Sequence, residues 1–485
     1  MKNNTRGTDE VGFVTKAKRY LLTIEGLPSA HVNDLLVDEQ GNKAIVRSLA
    51  SDHVSALAFS GNAKPGDRYS YVQDANLYSV GEQLFGRVID TFGSPVDGLG
   101  SLPPSTLPLK LEVDAPGIEV RVPIHEQLFT GVTLVDTLIP IAKGQRQLVF
   151  GPMHSGKSTF LTETILAQQA YGTVCIYAVI GKPIVGLRKI TDTIFKKGVQ
   201  GKTVVIAALS DEPASVIALT PSVAFLLAEY YCAQGEHVLV VLDDLDAHAK
   251  YLREIGLLEG RLPSTESYPG DIFYQHAHLM ERSGHFIKER GGGSITSLPV
   301  IQTEFKNFSD LIPTNLMACT DGHLAFLPTL RAEGLYPSIS LEQSVTRVGR
   351  QAQRSLQKQL TTKIQILLGA YRQQREYAQF SADLSEHTKE VIRTGAILES
   401  LMLQDPYNGI AADVQVALLS LAFTSFFDGK DAVFVEKNKR ALINALTTDT
   451  SLAHVRTKLL DETNFATYLD AVTSIHPQLT SVCQP

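Results

Sequence analysis

The stretch VFGPMHSGKSTFLTETI, residues 149–165, decides the fold of the central part of this chain. It contains the pattern G-x-x-x-x-G-K-[ST], which begins at Gly151 and ends at Ser158. The residues before the pattern form an apolar run, and those after it place Phe160 and Ile165 on one helical face. The sequence therefore predicts a strand, a glycine loop and a helix in succession, the context in which this pattern binds phosphate.

The loop supplies groups that can bind an anionic phosphate chain. Backbone N–H groups of the loop and of the helix N-terminus can cradle phosphate oxygens. Lys157 is predicted to lie along the outer phosphates, and the Ser158 hydroxyl to ligate Mg²⁺. The alternative is a glycine-rich turn that binds no nucleotide. The nucleotide-binding candidates here are Gly151, Pro152, Met153, His154, Ser155, Gly156, Lys157, Ser158 and Thr159.

The composition bounds the class of protein. A chain of 485 residues is long for one core, so we expect two or three domains. A hydrophobic content of 44% and a charged content of 20% are typical of a soluble globular protein. The net charge of −7 argues against a nucleic-acid partner. The four cysteines lack C-x-x-C spacing, which favours buried thiols in a reducing compartment.

The same sequence bears on the membrane. The polar start MKNNTRGTDE has no apolar core of the kind a secretory signal needs. The longest apolar runs, residues 216–228 and 416–427, are shorter than the ~20 residues that span a bilayer. We therefore expect a chain that is not secreted and that contacts a membrane only through partners.

The distribution of apolar, β-branched and turn-forming residues along the chain predicts three domains. Residues 1–80 hold short β-rich runs between turn signals, which predicts a small antiparallel barrel or sandwich. Residues 81–352 alternate apolar β-branched runs with helical segments, which predicts a mostly parallel sheet covered on both faces. Residues 353–485 are predicted to be helical. The fold class is thus a multidomain α/β protein: a small N-terminal barrel or sandwich, a central P-loop domain with a mostly parallel sheet, and a C-terminal α-helical domain.

A second element, HVLVVLDDLDAH at 237–248, ends an apolar strand in Asp243. A carboxylate at the tip of a buried strand beside a phosphate loop can hold the hydration shell of Mg²⁺. Standing alone, the motif would be better explained as a strand-ending turn. About 90 residues after the phosphate loop, Asp243 is the predicted metal partner.

A third element is SVTRVG at 344–349. Arg347, beside a glycine at the predicted junction of the α/β and helical domains, could reach the nucleotide of a neighbouring subunit. A guanidinium suits the phosphate charge of a transition state, as arginine fingers show. The alternative is a surface or helix-capping arginine.

Together these motifs resemble the alpha subunit of F-type rotary ATP synthases, of which the chain looks like a divergent member. The resemblance covers nearly the whole chain, and IPTN…TDG and SVTRVG are closer to alpha than to its beta relative. The stretches that carry it are GRVIDTFGSPVDGLG (86–100), APGI (115–118), VDTLIPIAKGQRQLVFGPMHSGKS (135–158), VLDDL (241–245), SYPGDIFYQHAHLMERS (267–283), GSITSLPVIQT (293–303), IPTNLMACTDG (312–322) and SVTRVGRQAQ (344–353).

The resemblance implies an N-terminal β-barrel, a central RecA-like P-loop domain and a C-terminal helical domain, and it also implies an assembly and a role. Three alpha-type and three beta-type catalytic chains would alternate around a central gamma-type shaft, on the cytoplasmic face of a bacterial-type plasma membrane. Alpha would bind Mg-ATP or Mg-ADP without catalysing its hydrolysis. Arg347 matches the arginine finger that alpha supplies to an adjacent beta, and Ser344 is expected to support that loop. The ring would couple ATP synthesis or hydrolysis to proton or sodium transport.

Residue 182 bears on whether the chain is itself catalytic. Catalytic relatives carry a glutamate there to orient the attacking water, and alpha chains usually carry glutamine. This chain has Lys182, and a cation cannot accept the water's proton. The non-catalytic assignment is reinforced, and Lys182 becomes a candidate contact for a bound phosphate.

Other departures from the family pattern fall around the nucleotide. Pro152, Met153 and His154 replace Asp, Arg and Gln of the usual alpha loop. On the adenine side, Tyr336-Pro337 stands for Arg-Pro, and Gln404 matches one of two family glutamines. The usual N-terminal helix that meets a delta-type stator is not expected here.

Two other classes of protein compete with this interpretation. A self-sufficient homohexameric motor ATPase, of the secretion or translocase type, would need the glutamate that Lys182 replaces. A scaffold that binds no nucleotide would not need the preserved Gly156-Lys157-Ser158.

Overall fold

The structure is a computed structural model, and the chain falls into two compact units. The first comprises residues 1–123, 144–150 and 171–321, and the second comprises residues 124–143, 151–170 and 322–485. The start of the chain, where no stator-binding helix is expected, lies in residues 1–9, outside the described residues. The structure describes residues 10–71, 77–103, 106–108, 114–196, 201–261, 268–303, 310–378, 385–461 and 463–484.

The first unit opens with a closed barrel of six antiparallel strands. Inward and outward side chains alternate, as Leu22 and Ile24 are fully buried while Thr23 between them is not. The strand order is β1-β2-β5-β4-β3-β6, so the first strand closes the barrel between the second and the sixth. The predicted barrel is confirmed. Its strands are β1 Val11–Lys18, β2 Leu21–Glu25, β3 Leu35–Asp38, β4 Lys43–Leu49, β5 Val54–Ala58 and β6 Arg68–Tyr71.

Thirteen further strands follow among the described residues. They are β7 Leu77–Ser79, β8 Val88–Asp90, β9 Thr106–Pro108, β10 Gln127–Leu128, β11 Ile141–Ala142, β12 Gln147–Gly151, β13 Val174–Lys182, β14 Thr203–Leu209, β15 His237–Asp243, β16 Gly284–His285, β17 Ser294–Gln302, β18 Gly322–Phe326 and β19 Ile339–Thr346.

The first unit is built on a parallel sheet, as predicted. Its strands run in the order β12-β17-β15-β13-β14-β8. The pairs β15–β17, β13–β15, β13–β14 and β14–β8 are parallel. Residues 174–180 of β13 are all buried because helices cover both faces of such a sheet. The carboxyl ends of β13 and β15 therefore lie side by side, which brings Lys182 and Asp243 to one edge.

Sixteen helices are described. They are α1 Thr133–Leu138, α2 Lys157–Gln168, α3 Ile184–Lys196, α4 Ala214–Ala233, α5 Leu245–Leu258, α6 Ile272–Glu281, α7 Leu311–Cys319, α8 Pro328–Ala332, α9 Gly349–Ala352, α10 Ser355–Ala378, α11 Glu386–Met402, α12 Ala412–Ser420, α13 Ala432–Thr448, α14 Ala453–Asp461, α15 Phe465–Ser474 and α16 His476–Val482.

Helix α4 is longer than the apolar run seen in the sequence. Its 20 residues make it long and apolar enough to cross a bilayer by length and composition alone. In the first unit, however, 67% of its apolar window is buried, and the helix packs on β13 and β15. Because an apolar surface all round is what a core helix needs, burial in the unit accounts for the composition of α4.

The second unit is mainly helical. Leu356, Leu360, Ile364 and Leu368 recur every four residues along α10 and are all buried, which gives that helix one apolar stripe. Helix α10 packs against α11, and α11 packs against α13. The strands β18 and β19 of this unit pair antiparallel. The predicted C-terminal helical region is thus confirmed.

Candidate functional site

The phosphate loop lies in the second unit, between Gly151 and the first turn of α2. Both of its glycines have positive φ, 150° at Gly151 and 104° at Gly156. A Cβ on Gly151 would lie 2.4 Å from the Phe326 carbonyl oxygen, so no side chain fits there. Gly156 is the N-cap of α2, and as a glycine it has no side chain to accept a hydrogen bond from the first-turn N–H groups. The first-turn N–H groups of α2 are therefore available to an anion.

Internal hydrogen bonds hold the loop in shape. The buried Ser155 hydroxyl donates to the Pro152 carbonyl at 2.8 Å. The Lys157 ammonium donates to the carbonyls of Gly151 at 2.6 Å and Pro152 at 2.7 Å. The lysine side chain is thus hydrogen-bonded back to the backbone of its own loop.

The remaining loop residues differ in exposure. The Met153 side chain is 59% exposed, and His154 is also exposed, with φ of 59°. Ser158, in the first turn of α2, is an exposed residue, and Thr159 is half-buried. Ser158 is thus accessible to a metal ion carried by a nucleotide, while Met153 and His154 extend to the surface.

The predicted adenine-side residues meet a buried carboxylate of α2, Glu163. The Tyr336 hydroxyl donates to one oxygen of Glu163, and the Gln404 amide donates to the other at 2.8 Å. Gln404 also donates to the Gly131 carbonyl at 3.1 Å and accepts from the Thr133 N–H at 2.9 Å. The Gln404 amide is therefore fully engaged within the unit. Pro337, which follows Tyr336, is also buried.

Glu163 is the charged group that sequence reasoning missed at this site. Its side chain is 1% exposed. Burial raises the pKa of Glu163 to about 7, although hydrogen bonds from Tyr336 and Gln404 oppose that rise. Its position three residues after Phe160, on the predicted buried face of α2, was the available signal.

Two predicted residues of the first unit form an ion pair. The Lys182 ammonium at the end of β13 lies 2.7 Å from Oδ1 of Asp243 at the end of β15. The Tyr177 hydroxyl donates to Oδ2 of the same carboxylate at 2.6 Å. Asp243 is 2% exposed, and both of its oxygens are therefore engaged inside the unit.

The neighbouring Asp244 also favours the protonated form of Lys182. Its Oδ2 is 3.8 Å from the Lys182 ammonium, while its Oδ1 accepts from the Ala247 N–H and caps α5. Burial and then the charge of Asp243 raise the pKa of Asp244 to about 6. Burial opposes charge on Lys182, but the two carboxylates outweigh it and raise the Lys182 pKa. The raised pKa favours the protonated form of Lys182, which has no lone pair with which to act as a base.

Fit to Mg²⁺ differs between the two predicted ligands. Ser158 is an exposed residue, and its hydroxyl is an oxygen ligand of the kind that suits a hard cation accompanying phosphate. Asp243 does not offer a free oxygen, since Lys182 and Tyr177 engage both. Among the described residues no group of three or more His, Cys, Asp or Glu could hold a metal ion. The chain's own contribution to Mg²⁺ thus fits Ser158 better than Asp243.

Arg347 is exposed and immediately follows β19 in the second unit. The Thr346 hydroxyl before it donates to the Pro140 carbonyl at 2.9 Å and accepts from the Gly349 N–H at 3.1 Å. A Cβ on Gly349 would lie 1.6 Å from the Pro140 oxygen, so only glycine permits this approach. The turn that carries Arg347 is therefore fixed to the segment before β11.

Ser344 holds β19 in place two residues before Thr346. Its hydroxyl donates to the Ser340 carbonyl at 2.5 Å and accepts from the Ala325 N–H of β18 at 3.0 Å. The hydroxyl bridges a shift in register between β18 and β19. This contact agrees with a supporting role for Ser344 in the loop of Arg347.

The predicted residues thus fall into two sets. The second unit brings together the phosphate loop, Tyr336, Pro337 and Gln404, and it also contains Ser344 and Arg347. Lys182 and Asp243 belong to the first unit, where they pair with each other. Besides Glu163, sequence reasoning missed Tyr177, whose hydroxyl becomes significant only once β13 and β15 are neighbours.

A glycine loop of this geometry, between a buried strand and a helix N-terminus, defines a P-loop protein of the α/β class. Residues 131–346 match the model of the ATP synthase alpha/beta family, nucleotide-binding domain. Residues 353–474 match the model of the ATP synthase alpha/beta chain, C terminal domain. The chain belongs to the ATP synthase alpha/beta family.

Curated relatives narrow this to one type of subunit. The chain is 36% identical over 435 residues to ATP synthase subunit alpha of Dictyoglomus turgidum, covering 89% of this chain and 85% of that protein. It is 34% identical to ATP synthase subunit alpha 1 of Rhodopirellula baltica, over 90% and 87% of the two chains. It is 33% identical to ATP synthase subunit alpha of Ehrlichia chaffeensis, covering 92% of this chain and 89% of that protein. The chain is thus a divergent alpha-type member of the family.

Proposed function

We propose that the chain is the non-catalytic, regulatory alpha-type subunit of an F-type ATP synthase ring, and that it holds Mg-ATP or Mg-ADP at the loop from Gly151 to Ser158. In this role Lys157 and the first-turn N–H groups of α2 bind the phosphates. Ser158 contributes to Mg²⁺ coordination. Bound Mg²⁺ would neutralise phosphate charge, while the chain's own residues position the nucleotide.

The observation that carries the proposal is the pairing of Lys182 with Asp243 at 2.7 Å. Lys182 stands where a catalytic relative needs a proton acceptor, and two carboxylates keep it protonated. A group that remains cationic cannot orient and deprotonate an attacking water. The chain then binds nucleotide without consuming it, while Arg347 acts in trans on the nucleotide of a beta-type partner.

The proposed partners follow from this role. Beta-type catalytic chains would alternate with this chain in a three-plus-three ring around a gamma-type shaft, and a delta-type stator subunit would hold the ring. The assembly would couple ATP synthesis or hydrolysis to proton or sodium transport. We place it at the cytoplasmic face of a plasma membrane, which this chain would contact only through partner subunits.

The test is nucleotide binding and turnover by the purified chain alone. We expect Mg-ATP to bind and to be hydrolysed at a negligible rate, and Lys157→Ala to abolish binding because it removes the loop's cation. Isothermal titration calorimetry measures the binding of Mg-ATP by both chains, and phosphate release measures its hydrolysis. Robust hydrolysis that disappears in Lys157→Ala would show the chain to be catalytic and overturn the proposal.

A further inference from the structure

A second cation lies against the phosphate loop. Residues 151–158 contain one lysine and no arginine, so Lys157 is the only Lys or Arg of the loop itself. Arg331, on the short helix α8, reaches the loop from 175 positions further along the chain. Its Nη1 atom is 3.3 Å from the point where a Cβ on Gly156 would lie. The guanidinium therefore sits beside the residue that caps α2.

The segment that carries Arg331 is fastened to the loop. The Ser338 hydroxyl donates to the Ser155 carbonyl, which belongs to the loop. The Leu327 N–H, just before α8, donates to the Ser338 carbonyl at 2.9 Å. This hydrogen bond joins the two ends of the segment 327–338 to each other. These hydrogen bonds hold the segment that carries Arg331 against the loop without involving the Arg331 side chain.

The charges around Arg331 leave it available to an anion. No carboxylate of the described residues forms a salt bridge with its guanidinium, and the residue is exposed. Glu163, the buried carboxylate of α2, has its two oxygens engaged by Tyr336 and Gln404. A guanidinium presents paired N–H donors that match two phosphate oxygens, whereas an ammonium acts as a point charge.

We propose that Arg331 binds the phosphate chain of the nucleotide held by the loop, as a second cation beside Lys157. The proposal rests on the proposed function, since it concerns the same nucleotide. It assigns to Arg331 a phosphate-binding role, and it gives the site two cations that come from different elements, α2 and α8.

The test is titration of the full chain with ATP, AMP and tripolyphosphate. Tripolyphosphate carries the phosphates without base or ribose. We expect Arg331→Ala to weaken ATP and tripolyphosphate by roughly ten-fold or more, the factor that a charge-assisted hydrogen bond contributes. The affinity for AMP should fall less because AMP has a single phosphate. Arg331→Lys should recover part of the affinity for ATP and tripolyphosphate. Arg354→Ala, which removes another exposed arginine of the same unit, should leave all three ligands unchanged.

The outcomes separate this proposal from the function on which it rests. If the wild-type chain binds neither ATP nor tripolyphosphate, the proposed function fails. If Lys157→Ala loses binding while Arg331→Ala stays within two-fold of the wild type, the function stands and the role of Arg331 is wrong. Weakened ATP with unchanged tripolyphosphate would assign Arg331 to the base or ribose and would also overturn the proposal. Arg331→Met, which keeps most of the side-chain volume, replaces the alanine variant if that variant misfolds.

Discussion

At the scale of single residues, the partner of a charged group decides what that group can do. The resemblance places Lys182 where catalytic relatives are expected to carry a glutamate, and that position made it a candidate phosphate contact. In the structure its ammonium neutralises Asp243, a carboxylate that is only 2% exposed. Removing one partner of such a pair leaves a buried charge, which is more costly than the pair is stabilising. Lys182 therefore has a structural reason to remain protonated.

Glu163 makes the stability of the chain depend on pH. Its folded pKa of about 7 lies above the ordinary value of 4.5. Between these values the folded state keeps a proton that the unfolded state has lost, so stability falls as pH rises through this window and levels off above it. We expect Glu163→Gln to reduce the drop in thermal midpoint between pH 5 and pH 7.5, measured by circular dichroism.

Other groups contribute to the same window, so the comparison must be between variants. Asp136 is buried and its pKa is raised to about 6, which leaves part of the slope in Glu163→Gln. Glu436→Gln is the matched control, because Glu436 is exposed on α13 of the same unit. Equal pH dependence in Glu163→Gln and the wild type would show that Glu163 is ionised with an ordinary pKa in the folded chain.

The site was predictable to the extent that it is local in sequence. The phosphate loop and its candidates follow from eight consecutive residues. The cluster of Tyr336, Glu163 and Gln404 joins positions that are 173 and 241 residues apart. No periodicity or spacing encodes such a contact. Resemblance pointed to Tyr336 and Gln404, but only the folded chain reveals that a buried carboxylate receives both of their hydrogen bonds.

At the scale of elements, one of the two glycines on α10 and α11 limits how closely these helices pack. Gly395 on α11 faces the Tyr371 ring of α10, and a Cβ there would lie 2.3 Å from its Cγ. Gly369 on α10 has no atom within 4 Å of such a Cβ. One glycine is therefore required for close packing of the helices, and the other is not.

These two positions make a matched pair of variants. Gly395→Ala should destabilise the chain by about 1–3 kcal/mol because the ring must move or the helices separate. Gly369→Ala should stabilise it by about 0.5–1 kcal/mol, the difference in helix propensity. Urea unfolding followed at the helical signal measures both. If both alanines shift the midpoint in the same direction, the contact of Gly395 with Tyr371 does not limit the packing.

Elements with strong periodicity were predicted well, and those without it were not. The β-branched runs 174–180, 203–207 and 237–242 and the helical stretch 215–231, all recognisable in the sequence, lie inside β13, β14, β15 and α4. Strand β1 was not singled out because its burial pattern is irregular, with Lys16 and Ala17 interrupting the alternation. Its place in the barrel depends on pairing with β2 and β6, which is not local information.

At the scale of the whole molecule, compactness does not follow the order of the chain. The predicted boundaries near residues 80 and 352 follow changes in composition. The two compact units instead exchange segments several times, so that residues 151–170 belong with residues 322–485. Composition cannot show which unit a segment packs in, because it reflects only whether that segment forms a strand or a helix. What composition did give is the family's layout of barrel, sheet and helices.

The assembled ring provides the last prediction, at Arg347. This residue is exposed at the end of β19, on a turn fixed by Thr346 and Gly349. In a complex reconstituted with beta-type and gamma-type partners, Arg347→Ala should leave ring assembly intact, since hydrogen bonds of the Thr346 hydroxyl to the Pro140 carbonyl and from the Gly349 N–H hold the turn. Turnover of ATP should fall by roughly a thousand-fold or more, because a guanidinium in trans stabilises charge in the phosphoryl-transfer transition state.

The control is Arg350→Ala, three residues further along. Its guanidinium donates to the Thr362 hydroxyl at 3.2 Å, and it is exposed like that of Arg347. Gel filtration checks the ring, and steady-state ATP hydrolysis gives the turnover. Because binding by the isolated chain should be the same in Arg347→Ala and the wild type, titration with ATP separates an effect on the neighbour's nucleotide from one on the chain's own. Unchanged turnover in an intact Arg347→Ala ring would remove Arg347 from catalysis.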